Sequence, residues 1–461
     1  MTTNPPDSDL LLLSLVSGAA LYLVVGLVTP RGSPVPVLVA VFVFSNMLSR
    51  TTFFQTLVRK TRLAIDKREW ALPWIALEPI GVFTENSAFA ALPKLLQLEL
   101  LQAISSLEDY ASNSRKTNDR RRSLFRLMSW RQQKLCDEAG YSRKLKEIDA
   151  SIGKNQAVFS AIADAAKKNY GISYKDSSAM IKQKATKSTS SSNYRVVESM
   201  GHFIRDWADS KETSPLVNYI FKHLDDIIPK DEVEKTCIIV PGSGLGRVAH
   251  EIASHQKYGA VHAVEFSGLM HCCNQFVYEA ASKSKHVLVP YANSTSNYLT
   301  SDAQFREVEF PAATTKPSNL HLHLDDFCAF QVPEAQKYEN VVIVSVFFID
   351  TAENILDYFD QINQLSAPSR KSKTKNGYWI NVGPLKYGSA ARAELNGDEI
   401  AHIRKSMGWR DIDTTNTLES PEAINKNGLL PYITDEKSLW QGFYGVTMWC
   451  TAHKDNLRKR N

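Results

Sequence analysis

The chain lacks the marks of several protein classes. Its six cysteines, at 136, 237, 272, 273, 328 and 450, include no CxxC pair and show no disulfide framework. They read as reduced, mostly buried thiols of a domain facing the cytosol. Charge of neither sign dominates. The net charge of +5 is mild and dispersed, and no zinc finger, RNA-recognition motif or basic-aromatic stripe accompanies it, which argues against a nucleic-acid partner. No internal repeat is visible. With 461 residues the chain can bury a full core and holds more than one unit.

The N-terminus departs from an ordinary soluble protein. Leu10–Val28 is uncharged and apolar over 19 residues. At about 1.5 Å per residue that is enough to cross a bilayer core. A second apolar run, Val35–Leu48, follows Thr29–Pro34, and then come Arg50, Arg59, Lys60, Arg62, Lys67 and Arg68. The positive-inside rule puts that side in the cytosol. No basic residue precedes Leu10, and Asp7 and Asp9 do, which disfavours a cleaved signal peptide. The expectation is a membrane anchor over residues 1–68, one span or a hairpin.

Residues 69–193 read as a helical region ending in a polar linker, Lys184–Asn193. Within it, Ala88–Leu107, Arg120–Ala139 and Asn155–Lys168 place apolar residues three and four apart. Arg120, Arg121 and Arg122 are either a lipid contact or a solvated helix face. Helices are expected at Val196–Trp207 and Pro215–Ile228.

From Cys237 the pattern alternates. Strands are expected at Cys237–Val240, Ala260–Glu265, Asn319–Leu324, Asn340–Phe348 and Tyr378–Val382, with helical segments between them. Phe443–His453 reads as a late strand, antiparallel to a neighbour near Asp411–Leu418. This is the α/β signature of a mostly parallel, doubly wound sheet. The first strand enters a turn with Gly242, Gly244 and Gly246, and Glu265 closes the second strand 21 residues after Gly244. Such a turn lets backbone approach a ligand, and the acid accepts hydrogen bonds from a ribose diol. A dinucleotide fingerprint would put a glycine where Arg247 stands. The G-x-G-x-G spacing suits a nucleoside without a pyrophosphate, as in S-adenosylmethionine (SAM) enzymes. Ligands in such sheets lie beyond the strands' carboxyl ends, where Glu265, Asp325, Asp326 and Asp350 also converge.

FIRDW (Phe203–Trp207), VPGSGLGR (Val240–Arg247), Glu265-Phe266-Ser267, DDF (Asp325–Phe327), FFIDTAENILDY (Phe347–Tyr358) and WINVGPLKY (Trp379–Tyr387) occur in this order. Together they resemble the carnosine N-methyltransferase family, the N2227-like SAM-dependent methyltransferases, over roughly residues 150–453. The resemblance implies a Rossmann-like class I methyltransferase domain over residues 194–453. Its function would be methyl transfer from SAM to an imidazole nitrogen of a histidine-containing dipeptide. Position by position, Arg205 would hold the methionine carboxylate of SAM, and His202 would keep a polar contact or simply pack. Gly242 and Gly244 would admit the cofactor, Glu265 would bind its ribose, and Asp326 and Phe327 its adenine. Asp350 would bind the acceptor imidazole and fix its tautomer. Tyr432 and Tyr444 would line the acceptor pocket, or else are core aromatics of the terminal strands.

One departure stands out. Where the family reads GPLLYH, this chain reads GPLKYG, with Lys386 as an added charge and Gly388 in place of a substrate-binding histidine. A different acceptor, such as a protein or peptide histidine, therefore stays open, as does a membrane-bound scaffold without turnover. A nicotinamide-dependent oxidoreductase is disfavoured by Arg247 and by the absence of a hydride-transfer site. His321, His323 and Asp325 share one strand face, but no further cluster completes a metal shell. Cys272 and Cys273 read as packing, and Asp302, Arg306 and Glu309 as solvated charge in a connector. The implied partners are a small dipeptide and a membrane, with room for a homodimer.

Overall fold

The computed structural model describes residues 88–172, 189–209, 211–279, 286–310, 314–368 and 373–456, together with short stretches between 18 and 48. The chain divides into two compact units, residues 1–78 with 92–95, and residues 79–91 with 96–461. In the first, Val35–Leu48 forms helix α1, 14 residues long. At about 1.5 Å per residue it falls short of a hydrocarbon core of about 30 Å. Among the described residues no helix is long and apolar enough to cross a membrane. This overturns the expected membrane localisation and its cytosol-facing orientation. Residues 10–17, 20 and 28 of the first apolar run, and residues 49–68 with their basic side chains, lie outside the described residues.

From residue 96 on, the second unit contains most of helix α2 (Lys94–Glu108), then α3 (Tyr110–Phe125), α4 (Trp130–Glu138), α5 (Tyr141–Tyr170), α6 (Thr189–Phe203) and α7 (Ser214–Ile227). The helix expected at Arg120–Ala139 is two helices, because Ser129 and Gln132 form a capping box that starts α4. Helix α6 begins inside the stretch read as a linker. Two of the three clustered arginines are engaged within the fold, while Arg120 is exposed. Arg121 donates to the Asn293 carbonyl at 2.9 Å, and Arg122 pairs with Asp149. Helix α5 is stitched to the following fold through Asn155, which donates to the Val289 carbonyl at 3.0 Å and accepts the Val289 N–H at 2.7 Å.

The strands are β1 (Thr236–Pro241), β2 (Ala260–Glu265), β3 (His286–Leu288), β4 (Val308–Phe310), β5 (Leu320–Leu324), β6 (Asn340–Val346), β7 (Asn376–Gly383), β8 (Trp409–Asn416), β9 (Leu430–Pro431), β10 (Phe443–Tyr444) and β11 (Thr447–His453). Between them run α8 (Arg247–His255), α9 (Gly268–Val277), α10 (Ile355–Ser366) and α11 (Gly397–Ser406). Seven strands form one sheet in the order β5-β2-β1-β6-β7-β11-β8. The first five are parallel, and β11 inserts antiparallel between β7 and β8. β1, β6 and β7 are buried along their whole length, as apolar strands covered on both faces must be. Their period of two feeds two cores. Ile238, Val240, Val342 and Val344 face one, while Cys237, Ile239, Val341 and Ile343 face the other.

Two features differ from the sequence expectation. Phe443–His453 is not one strand: β10 pairs with β9 in a separate ribbon, and only β11 joins the main sheet. The connector expected to be solvated contains the hairpin β3–β4, and Arg306 is engaged, paired with Asp435 and lying over the Tyr291 ring at 3.9 Å. Its charge is matched inside the fold rather than by water.

Candidate active site

The strand order reverses between β1 and β6, so the loops after these strands open a crevice at their carboxyl ends. The glycine turn fills the β1 side. Gly242, Gly244 and Gly246 all have positive φ, at 58°, 56° and 83°. A Cβ on Gly242 would lie 2.4 Å from the Phe348 ring, so that glycine is required by packing as well as by backbone. At Gly244 a Cβ would meet nothing within 4 Å, so that face of the turn is open. Glu265, at the end of β2, accepts the Gly244 N–H at 2.7 Å and the Ser267 N–H at 2.8 Å. Burial raises its carboxyl above the ordinary range, although these N–H bonds oppose the shift.

A π-helical turn, Ile204–Ala208, carries Arg205 directly after α6. Such turns recur at functional sites because they break helical register and re-aim side chains. Two contacts fix this one to the glycine turn. The Trp207 indole N–H donates to the Leu245 carbonyl at 3.0 Å, and Arg247 donates to the Asp206 carbonyl at 3.3 Å. Arg205 donates to Asp206 at 2.8 Å and lies 5.1 Å from the Tyr432 ring centroid. The pair is not a surface pair, since Arg205 is only 10% exposed. Its Nε is buried without a hydrogen-bond partner, as is Nδ1 of His202. Glu212 stands 3.9 Å from that Nε and partly matches its charge, so His202 Nδ1 is the buried polar atom here with no partner of its own among the described residues. Burial, helped by the Arg205 charge, lowers the His202 pKa to about 3, so the ring is neutral.

The β6 side holds the second group. Phe347 has φ of 49°, a strained value for a bulky residue, and follows the last residue of β6. It stacks on Tyr432 with centroids 4.8 Å apart, and Tyr444 stands edge-on to both at 6.1 and 6.4 Å. Burial pushes the Tyr432 hydroxyl up to about 12, so it remains a donor. Both tyrosines are half-buried, and Tyr444 packs against the edge of one core. Asp350, 5% exposed, sits on the short turn Ile349–Thr351, and its Oδ2 accepts the Lys386 N–H at 2.8 Å. Burial raises its carboxyl above the usual range.

Asp326 accepts the Cys328 N–H at 2.9 Å and is half-buried at the end of β5. Phe327 is buried and packs edge-on against Phe348 at 5.4 Å. Gly388 is exposed, and a Cβ there would meet nothing within 4 Å, so packing does not demand its missing side chain.

Arg205, His202, Tyr432, Phe347 and Tyr444 thus form one chain of ring and cation contacts, and Lys386 links Tyr444 to Asp350. Sequence reasoning missed Phe347, Trp207 and Arg247 as positioning residues. The Phe347-Phe348 doublet and the FIRDW motif were visible, but their contacts join segments far apart in the chain. His323 meets His262 rather than a carboxylate, Nε2 to Nδ1 at 2.9 Å, and among the described residues no group of three metal-ligating side chains is present.

The parallel sheet with its antiparallel insertion, the glycine turn and the acid beyond β2 define a Rossmann-like class I methyltransferase that uses SAM. Residues 182–455 match the family model for carnosine N-methyltransferase. The chain belongs to that family. It is 34% identical to an uncharacterized Saccharomyces cerevisiae protein over 54% of its own length and 53% of that protein's. It is 26% identical to the carnosine N-methyltransferase of Schizosaccharomyces pombe, covering 78% of this chain and 96% of that one. The identity is likewise 26% to the Mus musculus carnosine N-methyltransferase, covering 72% and 82%. The chain therefore spans about half of the budding-yeast relative and most of the other two.

Proposed function

We propose that this chain transfers the methyl group of SAM to an imidazole nitrogen of a histidine-containing dipeptide of the carnosine type. The supporting observation is Asp350, a nearly buried carboxylate at the end of β6 with one oxygen held by a backbone N–H. A carboxylate so placed accepts the N–H of one imidazole nitrogen and leaves the other nitrogen's lone pair free to attack. SAM supplies an electrophilic methyl group on a sulfonium. That methyl would pass to the free imidazole nitrogen, the carbon–sulfur electron pair returning to sulfur. Asp350 stabilises the imidazolium and takes its N–H proton, or passes it to water.

The remaining roles follow from placement. Arg205, its fork bound to Asp206 and its Nε 3.9 Å from Glu212, offers its guanidinium to the methionine carboxylate, and neutral His202 adds a polar contact. Gly242 and Gly244 leave backbone open to the cofactor, Glu265 takes the ribose hydroxyls, and Asp326 with Phe327 borders the adenine. Tyr432 and Tyr444 wall the acceptor side. Residues 194–453 carry the transferase, with the helices of 69–193 as its cover.

The test is methyl transfer from labelled SAM by the full-length chain, offered carnosine, other histidine dipeptides and a cell extract in parallel. Methylated carnosine is the expected product. Label found only in the extract would move the acceptor elsewhere, and SAM binding without any transfer would leave a scaffold.

A further inference from the structure

Lys386 stands on the loop after β7, and its two ends have different partners. The backbone N–H holds Asp350. The ammonium donates to the Tyr444 hydroxyl at 3.0 Å and lies 5.5 Å from that ring's centroid. The side chain is exposed, and its ammonium is held by a neutral hydroxyl rather than a carboxylate. Among the described residues the one carboxylate in its field is Asp350, whose oxygen its own backbone N–H holds. A lysine whose backbone binds the acceptor-site acid carries its ammonium within about 7–8 Å of that point, the reach of its extended side chain. Two residues on, Gly388 contributes no side chain and leaves open space. Lys386 is thus the cation at the acceptor mouth that awaits an anion.

We infer that Lys386 selects acceptors bearing a free carboxylate next to the imidazole, that is, a C-terminal histidine. This inference rests on the dipeptide reading above. In a C-terminal histidine the carboxylate is separated from the ring by two carbons, so one molecule can place its ring N–H on Asp350 and its carboxylate on the ammonium. An internal histidine of a protein has an amide there, which carries no charge to meet Lys386. Tyr444 orients the ammonium by accepting one of its three protons and leaves two donors for the ligand.

The experiment compares β-alanyl-histidine with its C-terminal amide, using the full-length chain as wild type, Lys386→Met and Lys386→Arg. SAM affinity, measured on each variant, controls for folding. Wild type is expected to favour the free acid over the amide by about fivefold in kcat/KM, the range of one solvent-exposed ion pair, with the difference in KM rather than kcat. Lys386→Met brings the ratio near one, and Lys386→Arg restores it. High salt compresses the wild-type preference. An acid-to-amide ratio unchanged in Lys386→Met overturns the role of Lys386 while leaving the dipeptide reading intact. No transfer to either dipeptide by wild type that binds SAM overturns both.

Discussion

The Lys386 N–H donates to Asp350 Oδ2 at 2.8 Å, so an acid carried beyond β6 is set in place by the loop leaving β7. The bond restricts the carboxylate's rotation before any acceptor arrives, which lowers the ordering cost of binding. Asp350→Ala is expected to reduce kcat/KM for methyl transfer by about 10²- to 10⁴-fold, the range of a positioned proton acceptor. SAM affinity should change by less than about threefold, because Asp350 lies on the acceptor side. Calorimetry with SAM and single-turnover label transfer separate the two. A variant that loses both would place Asp350 among the cofactor or folding residues.

The glycine turn yields a paired prediction. Gly242→Ala drives a methyl into the Phe348 ring at 2.4 Å, so this variant should unfold readily or fail to accumulate. Gly244→Ala meets no protein atom within 4 Å and should fold, at a cost of about 1–2 kcal/mol for its positive φ. Its added methyl points into open space at the turn, and SAM affinity should fall by at least about tenfold. Thermal melts and SAM titrations on both variants check this. Normal SAM binding by Gly244→Ala would remove that face of the turn from the cofactor site.

Buried histidines set an acid limit on stability. His202, His262 and His271 are each brought to about 3, chiefly by burial, with neighbouring positive or imidazole groups adding to it. Their folded pKa lies below the unfolded value of about 6.5, so between about pH 6.5 and 3 the unfolded chain binds more protons. Stability from these rings is complete above that window and is lost as pH falls through it. Asp206, Glu212, Glu265 and Asp350, raised mainly by burial, act in the opposite sense. The clean measurement is therefore a difference. From pH 6.5 to 5.5, wild-type stability to urea should fall more steeply than that of His271→Gln, by up to about 1.4 kcal/mol per pH unit. Equal slopes would show that His271, despite its 2.8 Å contact with Tyr170, is not held neutral.

Much of the sheet was legible because its strands are short apolar runs punctuated by turn residues. β1, β2 and β6 to β8 lie close to where periodicity puts them. The hairpin β3–β4 was not legible, because three-residue strands carry too little pattern to register. The end of the chain misled for a related reason. Tyr444 and Thr447 both look strand-like, but Gly445 separates them, and only pairing partners reveal that they serve different sheets.

At the site, residue types and strand-end positions were determined by the sequence alone: glycines where φ must be positive, an acid after β2 and another after β6. Family resemblance could add roles to those positions but not their geometry. The tertiary structure decided what depends on distance between remote segments. It joined Trp207 and Arg247 to the glycine turn, stacked Phe347 on Tyr432, and set Lys386 between Asp350 and Tyr444. Among the described residues it also shows no helix long and apolar enough to cross a membrane, which the run of apolar residues alone had suggested. Local propensity and periodicity act through neighbours in the chain. Hydrogen bonds and burial across the fold act through neighbours in space, and only the folded chain brings those together.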